Sequence, residues 1–147
     1  MHSNPLIEHG TWKRENGTGK RKIQVLAMSK IESFEDLLVW QESMRLIKSI
    51  KGIFNFDKYN PLLNQLFRSS ISIPSNISEG FERQTNREYI QFLFIAKGSC
   101  GELRTQLYIA REMDLISQNQ LTELTGQAKK ISSMLYKLIQ VRKQKFS

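Results

Sequence analysis

Apolar residues recur at three- and four-residue steps along most of the chain after residue 33, which is the spacing of an amphipathic helix. The first run predicts a helix from Phe34 to about Asn55, with an apolar face formed by Leu37, Trp40, Met44, Ile47, Ile50 and Phe54. Asn60 and Pro61 predict the start of a second helix, because asparagine caps free amides and proline suits the first helical position. The apolar positions of that helix are Leu63, Leu66, Phe67, Ile71, Ile73 and Ile77.

Three features of the second helix bear on its shape. Pro74 removes one backbone hydrogen bond, so we expect a bend near Ser70. The serines between residues 69 and 78 are small enough to let a neighbouring helix approach closely. Gly80 is expected to end the helix, since glycine tolerates the left-handed conformation that is common just beyond a helix end.

Two further helices each begin with a predicted capping box, in which two side chains satisfy free amides of the first turn. Thr85 and Glu88 begin the third helix, which extends to about Asp114. Its apolar stripe is Tyr89, Leu93, Ala96, Ser99, Leu103, Leu107 and Ala110, with a second flank at Phe92, Ile95, Ile109 and Met113. Ser117 and Gln120 begin the fourth helix, whose apolar positions are Leu121, Leu124, Ala128, Ile131, Leu135 and Leu138.

Four amphipathic helices joined by short connections, without an alternating strand pattern, predict an all-α fold, namely an antiparallel up-down-up-down four-helix bundle. The first and third helices carry more apolar surface than one bundle core covers. Such surface is a liability for a monomer, so we expect it to be buried against other copies of the chain. The sequence therefore predicts a homo-oligomer.

Residues 1–30 lack helical periodicity and contain Pro5, both histidines and three glycines. This profile predicts a flexible basic tail ahead of a bundle domain at residues 31–147. The tail contributes half of the formal net charge of +8, and this charge either attracts polyanions such as RNA or DNA or serves solubility alone. Residues 1–27 are alternatively an extension upstream of a shorter product that starts at Met28.

Several classes of function are disfavoured by the residues available. A catalytic serine needs a base, and the only histidines, His2 and His9, lie in the tail, so we expect no enzyme activity. Without histidines in the helices no di-iron site is expected, nor any other metal or cofactor. The single cysteine, Cys100, favours a reducing, cytoplasmic setting. We expect neither a membrane span nor a signal peptide, because the apolar runs are too short.

The central stretch of the chain is Ser70-Ile71-Ser72-Ile73-Pro74-Ser75-Asn76-Ile77-Ser78-Glu79-Gly80, followed by Arg83, Glu88, Phe92-Leu93, Ile95-Ala96, Gly98-Ser99 and Glu102-Leu103. With Phe34-Glu35-Asp36-Leu37 and Val39-Trp40-Gln41 upstream, it resembles the bacterial four helix bundle protein family, also called 23S rRNA intervening sequence proteins. The resemblance extends over nearly everything after the first 30 residues. Ser78 stands where the family usually has alanine, a small-for-small change.

The resemblance implies a cytoplasmic bundle that assembles as a ring-like homopentamer and has no enzyme activity. The family is also similar in fold to the accessory variability protein of diversity-generating retroelements, a basic pentamer that engages a reverse transcriptase and nucleic acid. Within the central stretch we assign structural roles to Pro74, Asn76, Glu79, Gly80, Arg83, Glu88, Gly98, Ser99 and Glu102. Asn76 and Glu79 are expected to cap or bridge helix ends at the turn, and a ligand-binding role is the alternative.

The leading hypothesis is a non-enzymatic accessory protein that binds RNA or DNA through a basic patch repeated around an oligomer. The candidate contacts are Lys20, Arg21 and Lys22 in the tail and Lys129, Lys130, Lys137, Arg142, Lys143 and Lys145 on the fourth helix. The same charges would also suit an ordinary solvated face. No aromatic platform for base stacking is evident there, so binding should follow charge or shape. The alternative is a scaffold for a protein partner such as a reverse transcriptase.

Overall fold

A computed structural model describes residues 30–145, within which the chain forms one 3-10 helix and four α-helices and no strand. The 3-10 helix is Phe34–Asp36, and the α-helices are α1 (Leu38–Ile53), α2 (Pro61–Phe81), α3 (Asn86–Glu112) and α4 (Gln118–Lys145). The predicted all-α class is therefore confirmed. The tail, with Lys20, Arg21 and Lys22, lies outside the described residues apart from Lys30.

The predicted helix starts are confirmed by their hydrogen bonds. The Asn60 side chain accepts hydrogen bonds from the amides of Leu62 and Leu63, where α2 begins with Pro61. In α3, Thr85 accepts from the Glu88 amide while the Glu88 carboxylate accepts from the Thr85 amide. Ser117 and Gln120 bond reciprocally in the same way ahead of α4. These local signals work because each end satisfies its own free amides without help from a neighbouring helix.

The start of the first helix differs from the prediction. The carboxylate of Asp36 accepts hydrogen bonds from the amides of Glu32 and Ser33, which closes a single 3-10 turn at Phe34–Asp36. Leu37 then has extended backbone angles, so the α-helix begins only at Leu38. These hydrogen bonds also hold the pKa of Asp36 below its usual value, because they favour the charged carboxylate.

The helices pack as a four-membered bundle in which α2 contacts α3, α3 contacts α4, and α1 contacts both α2 and α4. Ser72 of α2 meets Ser99 of α3, and Gly80, eight residues further along α2, approaches Phe92 of α3. Moving forward along α2 thus means moving backward along α3, so the pair is antiparallel. The contacts of Glu42 with Lys130 and of Ser49 with Gln127 show the same for α1 and α4.

The core confirms the predicted stripe of α3 in full, since every one of its members is buried. In α4 the predicted positions are buried except Leu138, which is half-buried, and Ile139 joins them. The predicted face of the first helix is confirmed at Leu37, Ile50 and Phe54, which are buried, but it is wrong between them. The α1 side chains that are buried are Val39, Ser43, Leu46 and Ile50, whereas Met44 is exposed and Trp40 and Ile47 are half-buried. In α2, Phe67 and Ile71 are exposed rather than buried.

The expectation that Gly80 ends α2 is wrong. The helix continues to Phe81, and no glycine among the described residues has a positive φ. Gly80 is buried, and a Cβ atom built there would lie 2.7 Å from Cβ of Phe92 on α3. Glycine is therefore needed for the close approach of two helices. Pro74 is buried within the same continuous helix, and the bend expected near Ser70 stays a prediction.

Candidate nucleic-acid interface

The second half of α4 concentrates positive charge. Residues 31–145 contain sixteen basic and twelve acidic residues, and six of the basic ones but none of the acidic ones lie between residues 129 and 145. At 1.5 Å per residue this segment is about 24 Å long. The rest of the described bundle is therefore slightly acidic, and the excess positive charge of residues 31–145 comes from one helical segment.

The basic residues of α4 occupy two sides of the helix rather than one face. Lys130 lies beside α1, where its Nζ is 3.1 Å from Oε2 of Glu42. Lys137 is seven residues further on and shares that side. Lys143 lies beside α3, with its Nζ 5.1 Å from the ring centre of Phe94, and Lys129 is fourteen residues before it on the same line. Lys129, Lys137, Lys143 and Lys145 are all exposed.

Arg142 joins the end of α4 to the start of α3. Its Nε donates to Oδ1 of Asn86 at 2.8 Å, and the Asn86 side chain donates to the Arg142 carbonyl at 3.2 Å. The guanidinium carbon lies 4.7 Å from the ring centre of Tyr89. Burial raises the pKa of Tyr89, and the positive charge of Arg142 partly opposes this. Arg142 was predicted to contact nucleic acid, and its side chain here takes part in the packing of α4 against α3.

A cleft of about 440 Å³ opens beside Arg142 at this end of the bundle. Its lining includes the basic side chains of Arg83, Arg142 and Lys145, the polar residues Gln84, Thr85 and Asn86, and apolar side chains such as Ile31, Phe81 and Val141. Three positive side chains around an open cleft are suited to anions. The sequence did not reveal this grouping, because its members come from α4 and from the connection between α2 and α3.

The structural residues of the central stretch are placed mainly where α2 packs against α3. The Asn76 side chain donates to the Ser72 hydroxyl at 2.9 Å, which lies 2.9 Å from the Ser99 hydroxyl. Ser99 in turn donates to the Ile95 carbonyl at 3.1 Å, so Ser72 is the donor to Ser99. Asn76 bonds within α2, so the expectation that it caps or bridges a helix end is wrong. Glu79 bridges the end of α2 as expected, because its carboxylate pairs at 2.5 Å with Arg83, which lies beyond Phe81.

The other residues to which the sequence analysis assigned structural roles each make a different contact. Arg83 belongs to the α2–α3 connection, and its guanidinium lies 4.7 Å from the ring centre of Phe92 on α3. The Thr85 hydroxyl holds the pKa of Glu88 below its usual value by hydrogen bonding to the charged carboxylate. Glu102 accepts a hydrogen bond from Gln106 at 3.3 Å. Gly98 is exposed, and a Cβ atom added there would meet nothing within 4 Å.

Two separate apolar surfaces remain exposed on the bundle. The first, here called the α1/α2 apolar face, consists of exposed Met44, Phe67 and Ile71 together with half-buried Trp40 and Ile47. Its α1 members lie away from Glu42 and Ser49, which contact α4, and the Phe67 ring is 5.1 Å from that of Phe56 in the α1–α2 connection. The second, the α3 apolar flank, consists of Ile95, Ile109 and Met113, on the side of α3 that also carries Ser99.

The sequence interpretation that no aromatic platform for base stacking is evident beside the basic residues of α4 overlooked Tyr136. Tyr136 lies midway between Lys129 and Lys143, and 54% of it is exposed. Its heptad spacing from both lysines is visible in the sequence. It was missed because a tyrosine in an amphipathic helix usually belongs to the core, and only the packing of α3 and α4 shows which way it faces.

Among residues 30–145, no group of three or more histidine, cysteine, aspartate or glutamate side chains is arranged to hold a metal ion. None of the helices in that range combines the length and apolar content that crossing a lipid bilayer requires.

Fold and surface together define a helical bundle with a basic final helix and two exposed apolar surfaces. Residues 35–137 match the family described as 23S rRNA-intervening sequence protein, and the chain belongs to that family. The fold is also similar to the crystal structure of a protein of unknown function from the S23 ribosomal protein family of Bacteroides thetaiotaomicron VPI-5482. The TM-score is 0.62 at 24% identity, over 69% of this chain and 98% of the other. No curated protein matches.

Proposed function

We propose that this protein is a non-enzymatic, cytoplasmic accessory protein that forms a homo-oligomer and binds nucleic acid through the basic surface of α4. The observation that supports it is the concentration of six basic and no acidic residues between positions 129 and 145, among which all five lysines are exposed. Ammonium groups that contact phosphates release condensed counterions, and this release drives binding at low salt. The name of the family, which refers to ribosomal RNA, agrees with a polyanionic partner.

An electrophoretic mobility shift series in increasing salt tests this proposal. Exchange of two exposed lysines, Lys129→Glu with Lys137→Glu, should weaken binding at least tenfold and lower the slope of log affinity against log salt by about 1.5. The matched control is Arg45→Glu with Lys58→Glu, which changes the net charge equally at exposed positions outside α4 and outside the two apolar surfaces. Equal losses in the two variants would mean that net charge alone attracts nucleic acid, and the α4 surface would not be the site.

The oligomer is proposed on the two exposed apolar surfaces. A closed ring places one surface of each copy against a different surface of the next, whereas a two-fold dimer uses one surface twice. The α1/α2 apolar face and the α3 apolar flank are such a pair of different surfaces. We propose that they meet between copies, with five copies as the number that the family resemblance implies. A ring repeats the basic surface of α4, so that weak phosphate contacts add.

Sedimentation of single and mixed variants tests the ring. Ile71→Glu and Ile95→Glu each put a charge into one apolar surface and should each give monomers, whereas Leu38→Glu, outside both surfaces, should leave the assembly intact. Each monomeric variant keeps one intact surface. Mixing the two should therefore produce a dimer of one copy of each, and a mixture that stays monomeric would contradict the ring.

The alternative function is a scaffold for a protein partner such as a reverse transcriptase. It is favoured by the same exposed apolar side chains, because these can bury against a different protein as well as against another copy. Co-purification of the full chain with the products of neighbouring genes separates the two functions. A partner retained by the Lys129→Glu, Lys137→Glu variant but lost with Ile71→Glu would favour the scaffold.

A further inference from the structure

We infer that the outer surface of α3 and α4 binds single-stranded nucleic acid, with unpaired bases stacking on exposed aromatic rings while neighbouring lysines contact phosphates. This inference rests on the proposed function and names the class of nucleic acid that it selects. The surface, here called the aromatic face, consists of Lys129, Tyr136 and Lys143 on α4 and Phe94, Lys97, Arg104 and Tyr108 on α3.

The α4 part of the aromatic face is a straight line of three side chains. Lys129, Tyr136 and Lys143 are seven residues apart, which places them on one side of the helix at intervals of about 10 Å. All three are exposed. A base that stacks on the Tyr136 ring would therefore have an ammonium group within reach on either side along the strand.

The α3 part follows the same alternation of aromatic and basic residues. The spacings are three, seven and four residues, which place all the members on one side of the helix. These members are Phe94, Lys97, Arg104 and Tyr108. The Phe94 and Tyr108 rings are 46% and 48% exposed. Lys97 and Arg104 are half-buried and lie about one turn before and after buried Cys100. Gly101 leaves the surface between them open.

The two parts form one surface. The Lys143 ammonium of α4 lies 5.1 Å from the ring centre of Phe94 on α3, and the two helices pack against each other. The only acidic residue between positions 89 and 111 is Glu102. It is seven residues from both Ile95 and Ile109 and so lies on the side of α3 that carries the α3 apolar flank, away from the aromatic face. Positive charge and aromatic surface are thus adjacent without an intervening carboxylate.

The aromatic rings are what favours a single strand over a duplex. Bases of a duplex are already stacked and paired, so an exposed tyrosine or phenylalanine gains little from them, whereas an unpaired base offers a free face. Stacking of one base on an aromatic side chain strengthens binding by about fivefold to a hundredfold, and it tolerates any base. Lysines alone would attract both forms through their phosphates.

The test compares binding of the full chain to fluorescently labelled 20-nucleotide oligo(U), oligo(dT) and a 20-base-pair duplex by anisotropy. Tyr136→Ala should weaken binding to the single strands about tenfold and leave the duplex unchanged, and Tyr136→Phe should retain the native affinity. Tyr59→Ala is the matched control, because Tyr59 is 84% exposed in the α1–α2 connection. Circular dichroism and sedimentation establish that each variant keeps its fold and assembly.

Each outcome of the comparison decides the inference. Losses confined to the single strands support it, and a loss in oligo(U) alone among them assigns the face to RNA. Unchanged single-strand binding by Tyr136→Ala, or an equal loss for the duplex, overturns it. In that case salt-dependent binding that still requires Lys129 and Lys137 leaves the proposed function standing, whereas absence of binding to all three probes removes both.

Discussion

The α2–α3 contact and the α1–α4 contact are built in different ways. Where α2 meets α3, the residues in contact include a buried glycine and hydroxyl side chains, such as Gly80, Ser72 and Ser99. Where α1 meets the bundle, it contributes large buried side chains such as Leu46 and Ile50, and its polar links to α4 are partly exposed. Small residues fix the distance and register of two helices, whereas large ones supply apolar burial. The two contacts should therefore respond oppositely to changes in side-chain size.

Truncation of α1 should have the largest effect. Leu46 is fully buried, so Leu46→Ala removes its apolar contacts and leaves a cavity, and we expect the free energy of unfolding to fall by about 3 kcal/mol. Urea denaturation followed by circular dichroism measures this. Leu38→Ala on the same helix is the control and should change stability by less than about 0.5 kcal/mol, since Leu38 is largely exposed. Equal effects of both would show that α1 is not anchored by its buried side.

Enlargement at the α2–α3 contact should have the next largest effect. Gly80→Ala places a Cβ 2.7 Å from Cβ of Phe92, so the helices must separate. Overpacking outweighs the gain in helix propensity, and we expect a net loss of about 2 kcal/mol.

The matched control is Gly126→Ala in the middle of α4, where an added Cβ meets nothing within 4 Å. It should stabilise the protein by about 0.5–1 kcal/mol. A stabilising Gly80→Ala would mean that the two helices are not held as closely as the contact with Phe92 indicates.

Removal of one hydroxyl from the α2–α3 contact should cost less. Ser99→Ala takes away the acceptor of the Ser72 hydroxyl, and we expect a loss of about 1 kcal/mol. A double-mutant cycle with Ser72→Ala should give a coupling of at least 0.5 kcal/mol, roughly the lower limit for residues in direct contact. Ser133→Ala, at an exposed position of α4, should be neutral or slightly stabilising. Full additivity of Ser72→Ala and Ser99→Ala would contradict the hydrogen bond.

Loss of the ion pair between α4 and α1 should have the smallest effect. The Lys130 side chain is 60% exposed, so solvent screens its charge, while Glu42 is 20% exposed and also pairs with Arg45. Lys130→Gln should change the free energy of unfolding by less than about 0.5 kcal/mol, and the difference should vanish in 1 M salt. A loss above 1 kcal/mol that persists in high salt would show that this contact is held by more than charge.

The local features of the fold were predictable from the sequence, because they depend on residues a few positions apart. The capping side chains bond to amides of their own helix, as seen for Asn60, for Thr85 with Glu88, and for Ser117 with Gln120. The buried stripes of α3 and α4 follow from the spacing of their apolar residues. Gly80 was misplaced because glycine is common just beyond helix ends, and only the position of Phe92 on another helix shows why it is needed within one.

Features that depend on the neighbours of a helix were not predictable. Helix α1 has apolar residues on more than one side, and buried Ser43 interrupts the side that faces the core, so periodicity favoured the stripe of Trp40, Met44 and Ile47 instead. For the candidate site, the charge of α4 was evident, but its division between the α1 side and the α3 side was not. Only the neighbouring helices show this division, because Lys130 lies against α1 and Lys143 lies against α3.

The buried thiol of Cys100 can report how often the bundle opens locally. Its side chain is fully buried on α3, and burial raises the pKa of its thiol to about 12, so at neutral pH the folded chain offers thiol reagents neither access nor a thiolate. Modification at this position therefore has to wait for α3 to separate from its neighbours. Since the chain has one cysteine, the rate of labelling counts such openings directly and ranks the variants above without denaturant.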